Sequence, residues 1–315
     1  MSRHRQGLLL CLVSAAGFGA MAIFAKLAYR HGGDVTTVLV LRFLLAAAVT
    51  WAVVRVVRAP LPDRRTALGA AALGVLYAGQ AGCYFAALQH ISASLNALLL
   101  YTYPAMVFAA ALALGRERAG AVKTLALGLS AAGTVLVLVA GGTGALNAPG
   151  VLLGLGAAVI YCAYILVADR VLPGAHPLPV AALVLTTAFL AFLVVSPLIG
   201  GVHPGRIDGD GWLAMAGVAL VSTVLAASLF LAGLARVGPS TASIVSTVEP
   251  AVTVGLAALV FGERLDGMQL VGGALVLAAV VALQLRLGGS KVGAGVAADL
   301  AAAAPAARPA QAHAS

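Results

Sequence analysis

One acidic residue stands in the middle of a long apolar stretch near the end of this 315-residue chain. Glu249 is the only charged residue between positions 238 and 260. On a helix, Ser246, Glu249 and Thr253 would share one face, and that face is the polar one. A buried carboxyl group can carry a coupled proton, bind a cationic group of a substrate, or be held structurally beside the helix-bending Pro250. The sequence leaves these three hypotheses open.

A second charge, Arg42, interrupts an apolar stretch near the N-terminus. A guanidinium group keeps its charge in a protein, so Arg42 needs an anionic partner or a route to an aqueous surface. We expect a structural pairing, or a side chain that extends to the nearby outer face; the alternative is a site for a substrate carboxylate. Lys26 lies near the end of the preceding apolar stretch, where we expect it to anchor at an interface.

Polar and aromatic side chains recur at helical spacing within the apolar stretches, where they can pack or line a cavity. The candidate cavity-lining residues are Ser14, Phe18, Tyr77, Gln80, Tyr84, Asn96, Tyr103, Tyr161, Tyr164, Ser246, Glu249 and Thr253. Glu249 and Arg42 are also the candidates for coupling or charge pairing, and Pro104 and Pro250 are the candidate helix kinks. Scattered histidines and three cysteines within apolar stretches predict neither a metal site nor a catalytic site.

The elements that position these residues follow from the composition, in which 62% of the residues are hydrophobic and only 9% are charged. A soluble domain needs far more charge on its surface, so the chain is predicted to be an integral membrane protein. The net charge of +9 does not indicate nucleic acid, because the basic residues form no patch with interleaved aromatics.

Long uncharged runs divide into segments of about 20 residues, the length that crosses the hydrocarbon core. The run from Thr66 to Gly115 is 50 residues long and fits two spans. Each span must be helical, because unsatisfied backbone groups are too costly in lipid. Ten spans are predicted near 7–29, 35–57, 66–88, 91–114, 121–141, 150–170, 178–200, 211–235, 238–260 and 267–286.

The basic residues set the orientation. With both termini in the cytoplasm, the inside segments hold 14 Lys and Arg residues and the outside segments hold 4. A cleaved signal peptide over the first ~20 residues is the competing interpretation, and it would leave nine spans. We expect a cytoplasmic N-terminus at 1–6 and a disordered cytoplasmic tail at 288–315.

The two halves of the chain repeat each other at a constant offset of 146 residues. The matching pairs are Pro104 with Pro250, Glu117 with Glu263, and Arg118 with Arg264. Since each repeat holds five spans, an odd number, the second copy must enter the membrane upside down. Inverted repeats are typical of secondary transporters, which hold the substrate near the midplane between the halves.

These features resemble the drug/metabolite transporter superfamily, and specifically its EamA-type members with two EamA repeats. The resemblance rests on Arg42-Phe43, on Pro104 followed by Glu117, and on Glu249-Pro250 followed by Gly262-Glu263-Arg264-Leu265. It implies an all-α membrane fold of ten helices as two inverted repeats, at 7–141 and 150–287. It also implies a central cavity lined by spans 1, 3, 4, 6, 8 and 9, and export of amino acids or other metabolites.

We therefore expect a secondary exporter of a small metabolite in the inner membrane, working by alternating access, with proton coupling as a hypothesis. The alternatives are a sugar-phosphate or nucleotide-sugar carrier of the same fold and, more distantly, an assembly factor or intramembrane enzyme. No Walker A, HExxH or GxSxG motif is present, so we expect no ATP use and no enzymatic activity. We expect no cofactor. The expected partners are a small-molecule substrate and membrane lipid, and the expected state is a monomer or loose dimer.

Overall fold

A computed structural model describes residues 3–115, 120–140, 147–172 and 174–287, and this part of the chain is entirely helical and irregular, without strands. Ten spanning helices are numbered here in chain order. They are α1 (Arg3–Gly19 and Met21–Arg30), α2 (Val35–Val57), α3 (Arg64–Ala87), α4a (Ala93–Leu100), α4b (Tyr103–Ala113), α5 (Ala121–Ala140), α6 (Ala148–Val171), α7 (Pro177–Val195), α8 (Gly209–Val237), α9a (Pro239–Ser246), α9b (Glu249–Phe261) and α10 (Gly267–Leu287).

The ten predicted spans match these helices to within a few residues at each end. Eight are long and apolar enough to cross a membrane, and shorter apolar helices at Lys123–Val139 and Gly267–Leu283 supply the other two. Apolar side chains also cover the outside of the bundle, as at Leu152, Leu213 and Leu259, which are 70%, 74% and 84% exposed. Such a surface is stable against lipid tails and not against water. The predicted tail at 288–315 and the Arg116–Arg118 motif lie outside the described residues.

Polar residues begin several helices where the apolar stretches stop. The side chains of Asp34, Ser92 and Asp208 accept hydrogen bonds from backbone N–H groups in the first turns of α2, α4a and α8. Each cap satisfies a donor that the helix itself leaves unpaired. These caps therefore fix the residues at which the three helices begin.

Helix packing follows the internal repeat. Helix α3 packs along α6, and its counterpart α8 packs along α1. Helix α4 contacts α6, and α9 contacts α1 in the same way. The pairs α2–α7, α5–α10 and α4–α9 join each helix to its own counterpart. An exchange of α1–α5 with α6–α10 therefore reproduces the contacts, as a two-fold relation between inverted repeats requires.

Both halves break one helix at the same place. Helix α4 is interrupted at Tyr101 and Thr102, and α9 is interrupted 146 residues later at Thr247 and Val248. A proline follows each break at the start of the second half-helix, as expected from its missing N–H and fixed φ. The Tyr101 hydroxyl donates to the backbone oxygen of Ser246 at 3.1 Å, so one half satisfies a carbonyl that the break in the other half releases.

Two glycines bring α5 and α10 into direct backbone contact. A Cβ on Gly133 would lie 2.6 Å from the carbonyl oxygen of Gly272, and a Cβ on Gly272 would lie 2.7 Å from that of Gly133. Small residues permit this approach, and membrane helices associate through such close packing.

We predict that Gly133→Ala destabilises the protein, because the added methyl group meets backbone that cannot rotate away. The loss should be about 1–3 kcal/mol. The matched control is Gly128→Ala on the same helix, where a Cβ would meet nothing within 4 Å. That change should leave stability unchanged or raise it by up to about 1 kcal/mol. Thermal unfolding in detergent measures both, and equal effects would contradict the glycine contact.

Candidate functional site

Glu249 is the first residue of α9b, at the break near the middle of the ninth span. Its Oε2 lies 2.9 Å from the Tyr101 hydroxyl, whose single proton can be donated either to this oxygen or to Ser246 O. Among the described residues no donor reaches Oε1 and no cation pairs with this carboxyl group. The residue is only partly buried. Glu249 therefore lies between the two halves without being fully enclosed by the described residues.

Five tyrosines form a continuous arc of ring contacts that starts at Glu249. The centroids of Tyr101 and Tyr103 are 6.1 Å apart, and those of Tyr103 and Tyr161 are 4.6 Å apart in an edge-to-face arrangement. Tyr161 stacks on Tyr164 at 5.9 Å, and Tyr164 lies 6.0 Å from Tyr77. The arc draws on α3, α4 and α6. It includes the predicted residues Tyr77, Tyr103, Tyr161 and Tyr164, together with Tyr101, which the sequence pattern did not identify.

Several polar groups beside this arc lack protein partners. The side chains of Gln80, Tyr84, Tyr103 and Tyr161 make no hydrogen bond to any described residue, and none of their polar atoms is completely enclosed. A polar group without a partner is costly at membrane depth. Water or a bound solute must therefore satisfy these groups, which identifies the space between them as the candidate binding cavity.

Arg42 lies at the other end of the arc and is only 3% exposed. Its Nε donates to Thr223 Oγ1 at 3.0 Å and its Nη2 donates to Tyr77 Oη at 3.2 Å. Its guanidinium also lies 5.1 Å from the ring centroids of Phe43 and Phe85. Thr223 in turn donates to the carbonyl of Val218, five residues earlier, in the π-helical stretch of α8.

The expectations for Arg42 need correction. No acidic partner is present in the described part of the chain, and the side chain does not extend to a surface. Neutral oxygens and aromatic faces hold the charge instead, since both are favourable to a guanidinium. The π-helical turn is a common device at functional sites, and here it presents the Thr223 hydroxyl to Arg42.

Other predicted cavity residues serve helix contacts in this conformation. Ser14 is fully buried and donates to Ala226 O at 2.7 Å. Asn96 is fully buried and its Nδ2 donates to Tyr84 O at 3.0 Å. Phe18 packs with the cluster around Phe230. Ser14 and Asn96 therefore join helices in this conformation, although Asn96 Oδ1 has no partner among the described residues, and cavity lining by Phe18 stays a prediction.

The predicted polar face of the ninth span is divided. Ser246 ends α9a and its hydroxyl bonds back to Ala242 O at 3.0 Å, so the helix break separates it from Glu249. Thr253 is 2% exposed and donates to Gly19 O on α1 at 2.9 Å. The prediction that the ninth span is one continuous helix is therefore wrong between Ser246 and Glu249.

One functional candidate was missed at the bundle end that the positive-inside rule assigns to the outside. Glu263 Oε1 accepts from Lys26 Nζ at 2.8 Å and from the backbone N–H of Ala93 at 3.0 Å. Its Oε2 accepts from the N–H and the hydroxyl of Ser94 at 3.1 and 2.9 Å. We call this set of bonds the outer latch, because it ties α1, α4a and the loop after α9b together.

The outer latch corrects the expectation of an interfacial anchor at Lys26, which is paired with Glu263. Burial alone would raise the pKa of the Glu263 carboxyl. The Lys26 ammonium and the N–H groups of Ala93 and Ser94 outweigh burial and hold that pKa below its usual value. The partners are 169 to 237 positions apart in sequence, so local patterns could not reveal them. The repeated Glu263-Arg264 motif was the available signal.

Metal ligands do not gather in the described part of the chain. No group of three or more His, Cys, Asp or Glu side chains there can hold a metal ion. The three cysteines are free, and Cys11 and Cys162 are buried. The chemistry of the cavity therefore rests on one carboxyl group, phenol rings, one amide and one guanidinium.

Comparison with known proteins finds a transporter family and relatives that are named as transporters. A model of the EamA-like transporter family matches residues 5–139 and 148–284. The uncharacterized transporter YcbK of Bacillus subtilis (strain 168) is 27% identical over 287 residues, 84% of this chain and 88% of that protein. An uncharacterized transporter of Archaeoglobus fulgidus is 29% identical over 279 residues, 88% and 96% of the two chains. A crystal structure of a protein that is 19% identical superposes with a TM-score of 0.62 over 89% of this chain and 98% of that chain, which shows the shared fold.

We predict that Glu263→Gln destabilises the protein by about 1–3 kcal/mol at pH 7, because it leaves Lys26 without its charged partner. The pKa of Glu263 is lowered on folding, so its stabilisation is complete above its ordinary pKa of 4.5 and is lost as pH falls through the lower folded value. The difference from wild type should therefore shrink below pH 4.5.

Thermal unfolding of the detergent-solubilised protein at pH 7 and at progressively lower pH measures this difference. The control is Asp210→Asn, which changes an exposed acid in the first turn of α8 and should shift stability by about 0.5 kcal/mol or less. A deficit in Glu263→Gln that stays the same at all pH values would contradict an ionic role for the outer latch.

Proposed function

The chain belongs to the EamA-like transporter family, and we propose that it is a secondary exporter of a small metabolite, such as an amino acid or a related compound, that works by alternating access. The multi-pass fold and the transporter relatives support membrane transport over enzymatic activity. We further propose the cytoplasmic membrane as its location and two functional halves, at 7–141 and 150–287.

The observation that carries this proposal is the position of Glu249. Its carboxyl group stands at a broken helix, between the two halves, on the side where the polar groups of Gln80, Tyr84, Tyr103 and Tyr161 have no hydrogen-bond partner among the described residues. Broken helices and midplane sites between inverted repeats are typical of secondary transporters. A purely structural acid would have all its oxygens satisfied, whereas Oε1 has no donor among the described residues.

Alternating access requires contacts at each end that can form and break. The outer latch supports this role, since hydrogen bonds and one ion pair hold the outer ends of three spans together. Polar contacts of this kind exchange readily with water when the ends separate. In the described conformation the latch is formed, so we propose that this conformation is closed at the outer end.

Coupling to protons is proposed through Glu249. A charged carboxyl group at membrane depth is costly, so a site of this kind favours states in which a proton or a cationic solute neutralises it. Movement between the two access states is then easiest when Glu249 is neutralised. This would link solute export to proton entry.

The sugar-phosphate alternative receives less support. A phosphate requires several unoccupied basic groups in the cavity. Lys26 is already neutralised by Glu263, and two of the Arg42 nitrogens are committed to Thr223 and Tyr77. The cavity that Glu249 faces is therefore better suited to a neutral, zwitterionic or cationic solute.

We predict that cells expressing the wild-type protein deplete one small metabolite inside and enrich it in the medium. In Glu249→Gln at matched expression, this export should fall about tenfold or more, as for a loss of at least ~1.4 kcal/mol in the transport step. Metabolite profiling of cells and medium measures it, with Asp210→Asn as the control that retains export.

Equal export by wild type and Glu249→Gln would remove Glu249 from the transport step while leaving the exporter intact. Wild-type accumulation of a metabolite inside the cells would contradict the outward direction. Selective movement of a phosphorylated sugar would favour the alternative carrier.

A further inference from the structure

We propose that Glu249 and the rings of Tyr101, Tyr103 and Tyr161 form a binding site for the ammonium group of the solute, so that the transported compounds are small organic cations or amines with an apolar or aromatic body. The inference rests on the proposed transport function and specifies the chemical class of the solute.

The carboxyl group supplies the first argument. Glu249 accepts one hydrogen bond, from the neutral Tyr101 hydroxyl, and has no Lys or Arg partner among the described residues. A buried acid in a protein is normally paired or bound to a ligand. Since the described residues do not fully enclose this one, the missing positive charge can arrive from outside the chain.

The aromatic rings supply a second, independent argument. The Tyr103 and Tyr161 rings meet at 70° with centroids 4.6 Å apart, and Tyr101 adjoins Tyr103 at a similar steep angle of 63°. In an edge-to-face pair, one ring presents its edge to the face of the other, so each ring keeps a second face that can meet a ligand. The faces of such rings attract cations through their quadrupole and repel anions, and quaternary ammonium groups are typically recognised in this way.

The groups around Glu249 add no positive charge. The neutral Tyr101 hydroxyl lies 2.9 Å from its carboxyl group, and Gly19 of α1, which has no side chain, lies against its backbone oxygen.

Two basic side chains of the spans, Lys26 and Arg42, are already engaged elsewhere. Lys26 is bound in the outer latch. Arg42 stands at the far end of the tyrosine arc, where Thr223 and Tyr77 hold it. No basic side chain among the described residues therefore competes with a cationic solute for Glu249.

This arrangement makes a proton and an ammonium group competitors for one carboxylate. When the cation binds, a protonated Glu249 releases its proton; when the cation leaves, the carboxyl group takes a proton again. Binding of a permanent cation should therefore weaken as pH falls, because the protonated form no longer attracts it.

The test uses the purified full-length protein in detergent and two probes of opposite, permanent charge, benzyltrimethylammonium and phenylmethanesulfonate. Ligand binding is measured as a concentration-dependent rise in unfolding temperature. We expect stabilisation by the cation alone, with a Kd that rises at lower pH. In Glu249→Gln the Kd for the cation should rise at least ~tenfold, as for the loss of a charged partner.

Further variants separate binding from folding. Glu249→Asp keeps the charge and should keep much of the affinity, while Tyr103→Leu should weaken cation binding more than Tyr103→Phe, which retains the ring. Unfolding temperatures without ligand show whether each variant is folded.

Two results would overturn the proposal: equal stabilisation by the sulfonate, or unchanged cation affinity in folded Glu249→Gln. Absence of any cation binding by the wild type would do the same. If metabolite export persists in that case, the transporter proposal stands and only the solute class is wrong.

Discussion

The hydrocarbon core of a membrane offers no water, so every polar group within it must find its partner in the protein or in a solute. This constraint explains why the described chain consists of long helices, whose backbone groups pair internally. It also explains where the helices break. The interruptions in α4 and α9 face each other across the bundle, where the Tyr101 hydroxyl can reach a carbonyl that the break in α9 releases.

The two halves share a backbone plan but differ at one decisive position. Tyr103 begins α4b and Glu249 begins α9b, and these two residues are related by the repeat. One half thus supplies an aromatic ring and the other a carboxyl group to the same cavity. A symmetric pair of acids would repel each other, whereas an acid beside phenol rings is compatible with a single positive charge. The proposed site therefore combines groups from both halves and is contained in neither half alone.

The spans could be predicted from the sequence, but the side-chain contacts between them could not. Hydropathy and charge located all ten helices, because the bilayer imposes one length and one polarity on each. The spacing of Tyr77, Gln80 and Tyr84 places these side chains on one face of α3, and their role in lining a cavity stays a prediction. The partners of Arg42 could not be predicted, since a π-helical turn in α8 brings Thr223 to it from 181 positions away. Helical spacing failed at Ser246 because a break interrupts the ninth span.

The central claim is that Glu249 alternates between a proton and a positively charged solute. Infrared difference spectroscopy of the protein in lipid, with and without benzyltrimethylammonium, follows the carboxyl group directly. We predict a protonated carboxyl C=O band that disappears when the cation binds and that is missing from Glu249→Gln. The same band change in wild type and in Glu249→Gln, or no band change on cation binding, would contradict the claim.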